Sequence, residues 1–193
     1  HLVLSDFDVV ESSNLQRQVI HTEASVGMLK VDSARERLLA LNPGVEVTAL
    51  AHELDAESLE EQVIFADVVV DCTDNFPSRF ALNEVTWRMK TPYVSAAAVR
   101  REGQLSTFDG RRNDSPCYRC LYPDTGVEGV TCALEGVLAP VVGIVGTMQA
   151  QEVINVLLEQ SALTGVLMLF DGASMEWHRM QLPKKPDCPV CST

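Results

Sequence analysis

An α/β fold on a doubly wound, mostly parallel sheet is what the sequence predicts, and three observations predict it. Up to Val99 the hydrophobic pattern alternates β-α-β-α-β-α-β, the order that lays right-handed crossover helices over a parallel sheet. The run Val68-Val69-Val70 is short, apolar and β-branched, as a strand buried on both faces is, and it soon gives way to the polar Asp74-Asn75. Asp171-Gly172 separates two strand-like segments near the other end, a hairpin signal, so an antiparallel carboxyl-terminal extension is expected.

The 193 residues suffice for one domain with a sizeable core, and 46 % apolar with 22 % charged content is ordinary for a soluble globular chain. A net charge of −12 argues against a general nucleic-acid or anionic-membrane surface, since both need clustered Lys and Arg. The longest apolar helix, residues 140–158, is interrupted by Gln149, Gln151 and Glu152 and reads as a core helix rather than a membrane span. The chain opens directly in a strand-like segment with no signal-peptide pattern, and a cytoplasmic location is expected.

Taken in order, residues 1–5 form a strand ending in Ser5-Asp6-Phe7-Asp8. An acidic residue at the end of a second Rossmann-like strand accepts hydrogen bonds from a ribose hydroxyl, which makes Asp6 a candidate. Such a strand should follow a first strand, a Gly-rich phosphate loop and a helix, none of which precedes it. Without that central strand, rows of unpaired backbone groups at about 1–3 kcal/mol each would keep the chain from folding stably by itself. Residues 11–18 are too polar to bury a helix face and are expected as an exposed loop or a single turn, in which Asn14 and Arg17, three apart, share a side. Val26, Leu29, Ala34, Leu38 and Leu41 mark a helix closing at Asn42-Pro43-Gly44. Lys30 falls at its start, where the helix dipole disfavours a cation, a hint of an anion to bind; a solvated lysine is the simpler explanation.

Residues 45–50 alternate as a strand does, and Asp55 caps a helix to about residue 65. The strand around Val68–Val70 delivers Asp74 and Asn75 to its carboxyl end, where open α/β sheets bind ligands, and Pro77 suits the first turn of the next helix, residues 77–89. On the alternative reading, Asp71 and Asp74 merely end a strand and cap a helix. Strands at 92–99 and 103–108 follow, then the knuckle Pro116-Cys117-Tyr118-Arg119-Cys120 and a crossover over residues 121–135. The 140–158 helix, strands at 166–170 and 175–182, and the tail Asp187-Cys188-Pro189-Val190-Cys191 complete the chain.

Four of the six cysteines form two Cys-x-x-Cys pairs, Cys117/Cys120 and Cys188/Cys191, able together to supply four thiolates to one tetrahedral zinc. The 67 residues between the pairs exceed the usual ribbon interval, so spacing alone leaves a redox pair as the rival; the tail position of Cys188/Cys191 favours a zinc that staples the tail down. A carboxylate such as Asp74 can hold Mg²⁺, while Asn14, Arg17 and Lys30 can bind phosphate oxygens. Together they are the equipment for nucleotidyl transfer.

The segments Asp6-Phe7-Asp8, Ser13-Asn14-Leu15-Gln16-Arg17-Gln18, residues 27–30, Asp71-Cys72-Thr73-Asp74-Asn75, Cys117-Tyr118-Arg119-Cys120, residues 136–146 with Gln149-Ala150, and Cys188-Pro189-Val190-Cys191 closely resemble, in order, the ThiF/MoeB family, bacterial relatives of ubiquitin-activating enzymes. Leu169-Phe170-Asp171-Gly172 with Trp177, and Tyr122-Pro123-Asp124, look closer to ThiF. The resemblance implies a single adenylation domain over residues 1–193 that lacks its amino-terminal strand, Gly-rich loop and helix. It implies that the carboxyl-terminal glycine of a ubiquitin-like sulfur-carrier protein attacks the α-phosphorus of ATP, giving an acyl adenylate and pyrophosphate for thiamine or molybdopterin synthesis. By motif position Asp6 would hold the ribose, Asn14, Arg17 and Lys30 the phosphates, and Asp74 the Mg²⁺. Cys132 matches a family cysteine that can take the carrier into a covalent sulfur linkage, and can equally be an inert crossover thiol. A structural Zn²⁺, a homodimer and a sulfur donor such as a cysteine desulfurase complete the expectation. The alternatives are a nicotinamide-dependent oxidoreductase, which has no use for Arg17, Lys30 and a zinc staple together, and a non-catalytic zinc-stapled interaction module.

Overall fold

The computed structural model describes residues 1–123 and 135–192. Its contacts divide into two compact units, His1–Asp55 and Ala56–Thr193.

In the first unit, β1 (Leu2–Ser5) pairs in parallel with β2 (Val47–Leu50), with Leu2 opposite Val47 and Ser5 opposite Leu50. Between them run two 3-10 turns, Ser12–Asn14 and Glu23–Ser25, and helix α1 (Lys30–Leu41). The polar 11–18 segment is thus a single turn, as its composition requires. Helix α1 starts later than Val26 and Leu29 suggested, and the cause is local. Gly27 holds a left-handed φ of +90°, its N–H donates to Val10 O at 2.8 Å, and Leu29 bridges to Val9, so this stretch pairs with the chain after β1 instead of coiling.

In the second unit, α2 (Ala56–Val63) leads to β3 (Val69–Asp71), α3 (Phe76–Met89), β4 (Tyr93–Val99) and β5 (Glu102–Phe108). A short helix α4 (Tyr118–Leu121), a long helix α5 (Ala139–Leu157) and the strands β6 (Val166–Asp171) and β7 (Glu176–Gln181) follow. The strands form one sheet in the order β3-β4-β5-β6-β7, parallel between β3 and β4 and antiparallel across the other three ladders. The antiparallel extension therefore begins at the tight β4–β5 hairpin after Val99, ahead of the Asp171-Gly172 turn that announced it. Among the described residues β1 is paired only with β2, and β3 only with β4.

Alternation along the strands sends neighbouring residues to opposite faces of this sheet, and each face has its own cover. Val94, Ala96, Leu105 and Phe170 pack with Val141, Val145 and Val156 of α5. Tyr93 and Phe108 pack with Tyr118 of α4 and, at the periphery, with Phe76 and Phe80 of α3. The two buried polar residues of α5 are engaged toward the sheet: Glu152 accepts from Thr107 Oγ1 at 2.8 Å, and Gln149 donates to the carbonyls of Asp71 and Val94 at 2.8 and 3.0 Å. Among the described residues no helix is long and apolar enough to cross a membrane.

Candidate functional site

In the first unit, the end of β1 and the start of α1 bring Asp6, Asp8 and Lys30 together. Lys30 Nζ lies 2.7 Å from Asp8 Oδ2 and 3.7 Å from Asp6 Oδ2, while Asp6 Oδ1 accepts the Asp8 N–H at 2.9 Å. The anion hinted at by a lysine at a helix start is thus supplied by the protein itself, and the Lys30 side chain, only 14 % exposed, sits at the end of a parallel strand. Asn14 is buried and spends its Oδ1 on the Glu11 N–H at 3.0 Å, closing the turn that carries Arg17. Arg17 Nη1 donates to Ser13 O at 3.2 Å, so the guanidinium is anchored at one nitrogen and keeps its other donors. His21, which drew no attention in the sequence, is buried beside them with Nδ1 2.9 Å from Ser33 Oγ. Burial first, and the Lys30 charge second, lower its pKa from the ordinary value, against a smaller opposing pull from Asp6.

In the second unit, the elbow between β3 and α3 distributes its polar side chains over three tasks. Asn75 caps α3 by accepting the Ser78 N–H at 2.9 Å. Asp71 is fully buried and structural: Oδ2 accepts from Tyr93 Oη and Ser95 Oγ at 2.8 and 2.9 Å, and Oδ1 from Thr73 N and Oγ1 at 2.9 and 2.7 Å. Asp74 does neither job. It is exposed at the carboxyl end of the strand, with Asn75 Nδ2 at 3.5 Å from its Oδ1. An exposed carboxylate there has the hard oxygen ligands that Mg²⁺ selects.

The two cysteine pairs meet. The sulfurs of Cys117, Cys120, Cys188 and Cys191 all lie within 4.8 Å of one another and are buried, with Cys117 to Cys188 at 3.5 Å and Cys120 to Cys191 at 3.4 Å. Zn–S bonds of about 2.3 Å put sulfurs about 3.8 Å apart in a tetrahedron, so the spacing suits a metal such as zinc. A redox pair would work within one motif, whereas the 3.5 and 3.4 Å contacts here join one motif to the other and bring all four sulfurs together. The surroundings fit the same reading: Lys185 N–H and Asn83 Nδ2 point at Cys120 and Cys117 sulfurs at 3.4 and 3.8 Å, as donors do around thiolates. Burial and the neighbouring sulfurs push the Cys117 thiol up to about 12, while at Cys188 the burial that raises it is outweighed by the N–H groups of Cys191 and Val190, which bring it down to about 7; a bound cation is what would ionise the whole set. Cys132 lies outside the described residues.

A family model described as "ThiF family" matches residues 1–190. The molybdopterin-synthase adenylyltransferase of Escherichia coli K12 is 40% identical over 192 residues, covering 99% of this chain and 77% of that protein. The sulfur carrier protein ThiS adenylyltransferase of the same strain is 42% identical over 190 residues, with 98% and 75% covered. The SAMP-activating enzyme E1 of Haloferax volcanii is also 42% identical, over 193 residues, 98% of this chain and 70% of that protein. Among solved structures, E. coli MccB with ATP superposes with a TM-score of 0.82 at 23% identity over 98% of this chain, which spans 58% of that chain's length, a likeness of fold. On the family match and these relatives, the chain belongs to the ThiF family.

Proposed function

We propose that this chain is the adenylation domain of an enzyme that activates a ubiquitin-like sulfur-carrier protein. The carrier's terminal glycine carboxylate attacks the α-phosphorus of ATP, the bond to the bridging oxygen breaks, and acyl adenylate and pyrophosphate result. The observation that carries this reading is Asp74: of the acids and amides at the β3–α3 elbow it alone is left exposed at the strand's carboxyl end, with its neighbours committed to folding.

In this proposal Asp6 accepts the ribose hydroxyls, Asn14 lends its amide Nδ2, and Arg17 and Lys30 meet the phosphates. Lys30 is held in waiting by Asp8, whose short contact orients the ammonium until a phosphate oxygen competes for it. Mg²⁺ on Asp74 would offset phosphate charge during attack. The cysteine cluster holds Zn²⁺ and has a structural task, joining the tail to α4. Cys132 is the thiol proposed for a later covalent sulfur linkage, with a cysteine desulfurase as the class of sulfur donor and a homodimer as the working assembly. Relatives named for both molybdopterin synthase and ThiS stand at nearly equal identity, 40% and 42%, and either carrier class suits the chemistry.

The test is carrier-dependent exchange of labelled pyrophosphate into ATP by the full-length protein. Asp74→Asn keeps size and fold and removes the charge; it should lower exchange by about 10²–10³-fold, the typical loss for one electrostatic transition-state contact. Near-normal exchange in that variant overturns the assignment.

A further inference from the structure

The elbow of residues 72–75 is held far more firmly than a strand end requires, and most of what holds it converges on one buried carboxylate. Asp71 is 0 % exposed and stands opposite Ser95 in the parallel register of β3 and β4. Two residues earlier on β4, on the same face, is Tyr93, so both hydroxyls reach Oδ2, at 2.9 and 2.8 Å. Burial, and after it the Asp71 carboxylate, keep the Tyr93 phenol well above its usual pKa and therefore a donor. Oδ1 turns the other way along the chain and takes both the N–H and the hydroxyl of Thr73. The remaining polar atom of Thr73, its carbonyl, accepts Arg79 Nη2 at 2.6 Å, and Arg79 Nε stands 3.6 Å from Asp71 Oδ2. From the opposite face, Gln149 fixes the Asp71 carbonyl.

A buried acid normally costs stability unless fully satisfied, and an apolar residue would fill the β3 position more simply. What this one secures is the residue two places on: Thr73 is bonded at every polar atom, Asn75 is fixed as the cap of α3, and Asp74 lies between two immobilised neighbours with its own carboxylate exposed. We propose that Asp71 is a positioning residue for adenylation, which orients Asp74 through Thr73; this rests on the reading of Asp74 given above. Arg79, Tyr93 and Ser95 serve Asp71 in turn, by meeting the oxygen that Thr73 does not.

The experiment is pyrophosphate exchange in the full-length protein with its carrier, resolved into kcat, KM for ATP and the Mg²⁺ concentration giving half-maximal rate. Asp71→Asn is expected to lower kcat by about 10²-fold, the size of loss caused by an ångström-scale misplacement of a reacting group, with KM for ATP little changed and more Mg²⁺ required. Thr73→Val, which keeps the Thr73 N–H bond and removes only the hydroxyl one, is expected to shift kcat and the Mg²⁺ requirement in the same direction by less. In the Asp71→Asn/Asp74→Asn double variant the loss should not exceed that of Asp74→Asn alone, because the first residue acts through the second. A merely structural Asp71 would lower thermal stability and the active fraction and leave the Mg²⁺ requirement of the remaining activity where it was. That outcome in Asp71→Asn, or in Thr73→Val should Asp71→Asn not fold, overturns the proposal. Asp74→Asn run in parallel separates the two ideas: if it is active, the functional reading fails; if it is inactive while Asp71→Asn and Thr73→Val match the parent protein, only the positioning role fails.

Discussion

His21 illustrates how much of a site's electrostatics is invisible in a sequence. A lone histidine between Ile20 and Thr22 carries no pattern, yet in the fold its imidazole is buried against Ser33 with Lys30 nearby, and burial leads in lowering its pKa below 6.5. The neutral ring is therefore the form the folded state favours. The stability it contributes is complete above the unfolded pKa, near 6.5, and is lost as pH falls through the lower folded value. Urea midpoints measured between pH 8 and pH 5 should fall more steeply for the parent protein than for His21→Gln; equal slopes would count against this account. Asp74 and Asp71 make the complementary point. Both lie in the same polar turn and the sequence offered both for strand-ending or capping work, whereas the structure gives the capping to Asn75, buries Asp71 in a hydrogen-bonded hub and leaves Asp74 exposed. The available signal was position: Asp71 directly continues an apolar run, in the buried part of a strand, where a charge needs partners.

At the scale of the element, hydrophobic periodicity located the strands and the longer helices to within a few residues, because burial of one face is what stabilises each, while α4 and the 3-10 turn Glu23–Ser25 are too short to show a period. It erred at the start of α1, where Gly27 and the Val9–Leu29 bridge break the coil although Val26 and Leu29 keep helical spacing. It was silent on the direction of β5, since alternation is identical in parallel and antiparallel strands and only the two-residue connection between Val99 and Glu102 forces the reversal. The packing of α5 on this hairpin depends on Gly103. A Cβ there would overlap Val145 Cγ2 and sit 3.6 Å from Phe170 Cβ. Gly103→Ala should therefore destabilise the second unit by about 1–3 kcal/mol, the usual cost of overpacking, and Gly103→Ala with Val145→Ala should recover part of it. Denaturant unfolding of the three proteins decides this, and an unchanged midpoint for Gly103→Ala would mean that α5 is not seated on β5 as described.

For the whole molecule, the measurement that matters first is metal content. The full-length protein should retain one zinc per chain after prolonged dialysis, with Cys117, Cys120, Cys188 and Cys191 unreactive toward thiol reagents until it is chelated or unfolded. Cys188→Ser should lose the metal, lower the melting temperature and expose the tail to protease, since the hydrogen bonds of Lys184 Nζ to Asn113 O and of Lys185 N to Cys120 Sγ, which also tie that segment down, lie on the exposed side or at the same cluster. Zinc-free protein with the native melting temperature would remove the staple. The sequence by itself determined the class of fold, the order of its elements, the candidate ligands and the ordered motifs of the ThiF family, because these depend on periodicity and on residue types at short spacing. Only the tertiary structure decided that two cysteine pairs 67 residues apart share one centre, that Lys30 already faces two carboxylates, and that Asp71 is a hub while Asp74 is exposed. Those facts depend on which side chains long-range pairing brings within a few ångströms, and spacing along the chain does not encode them.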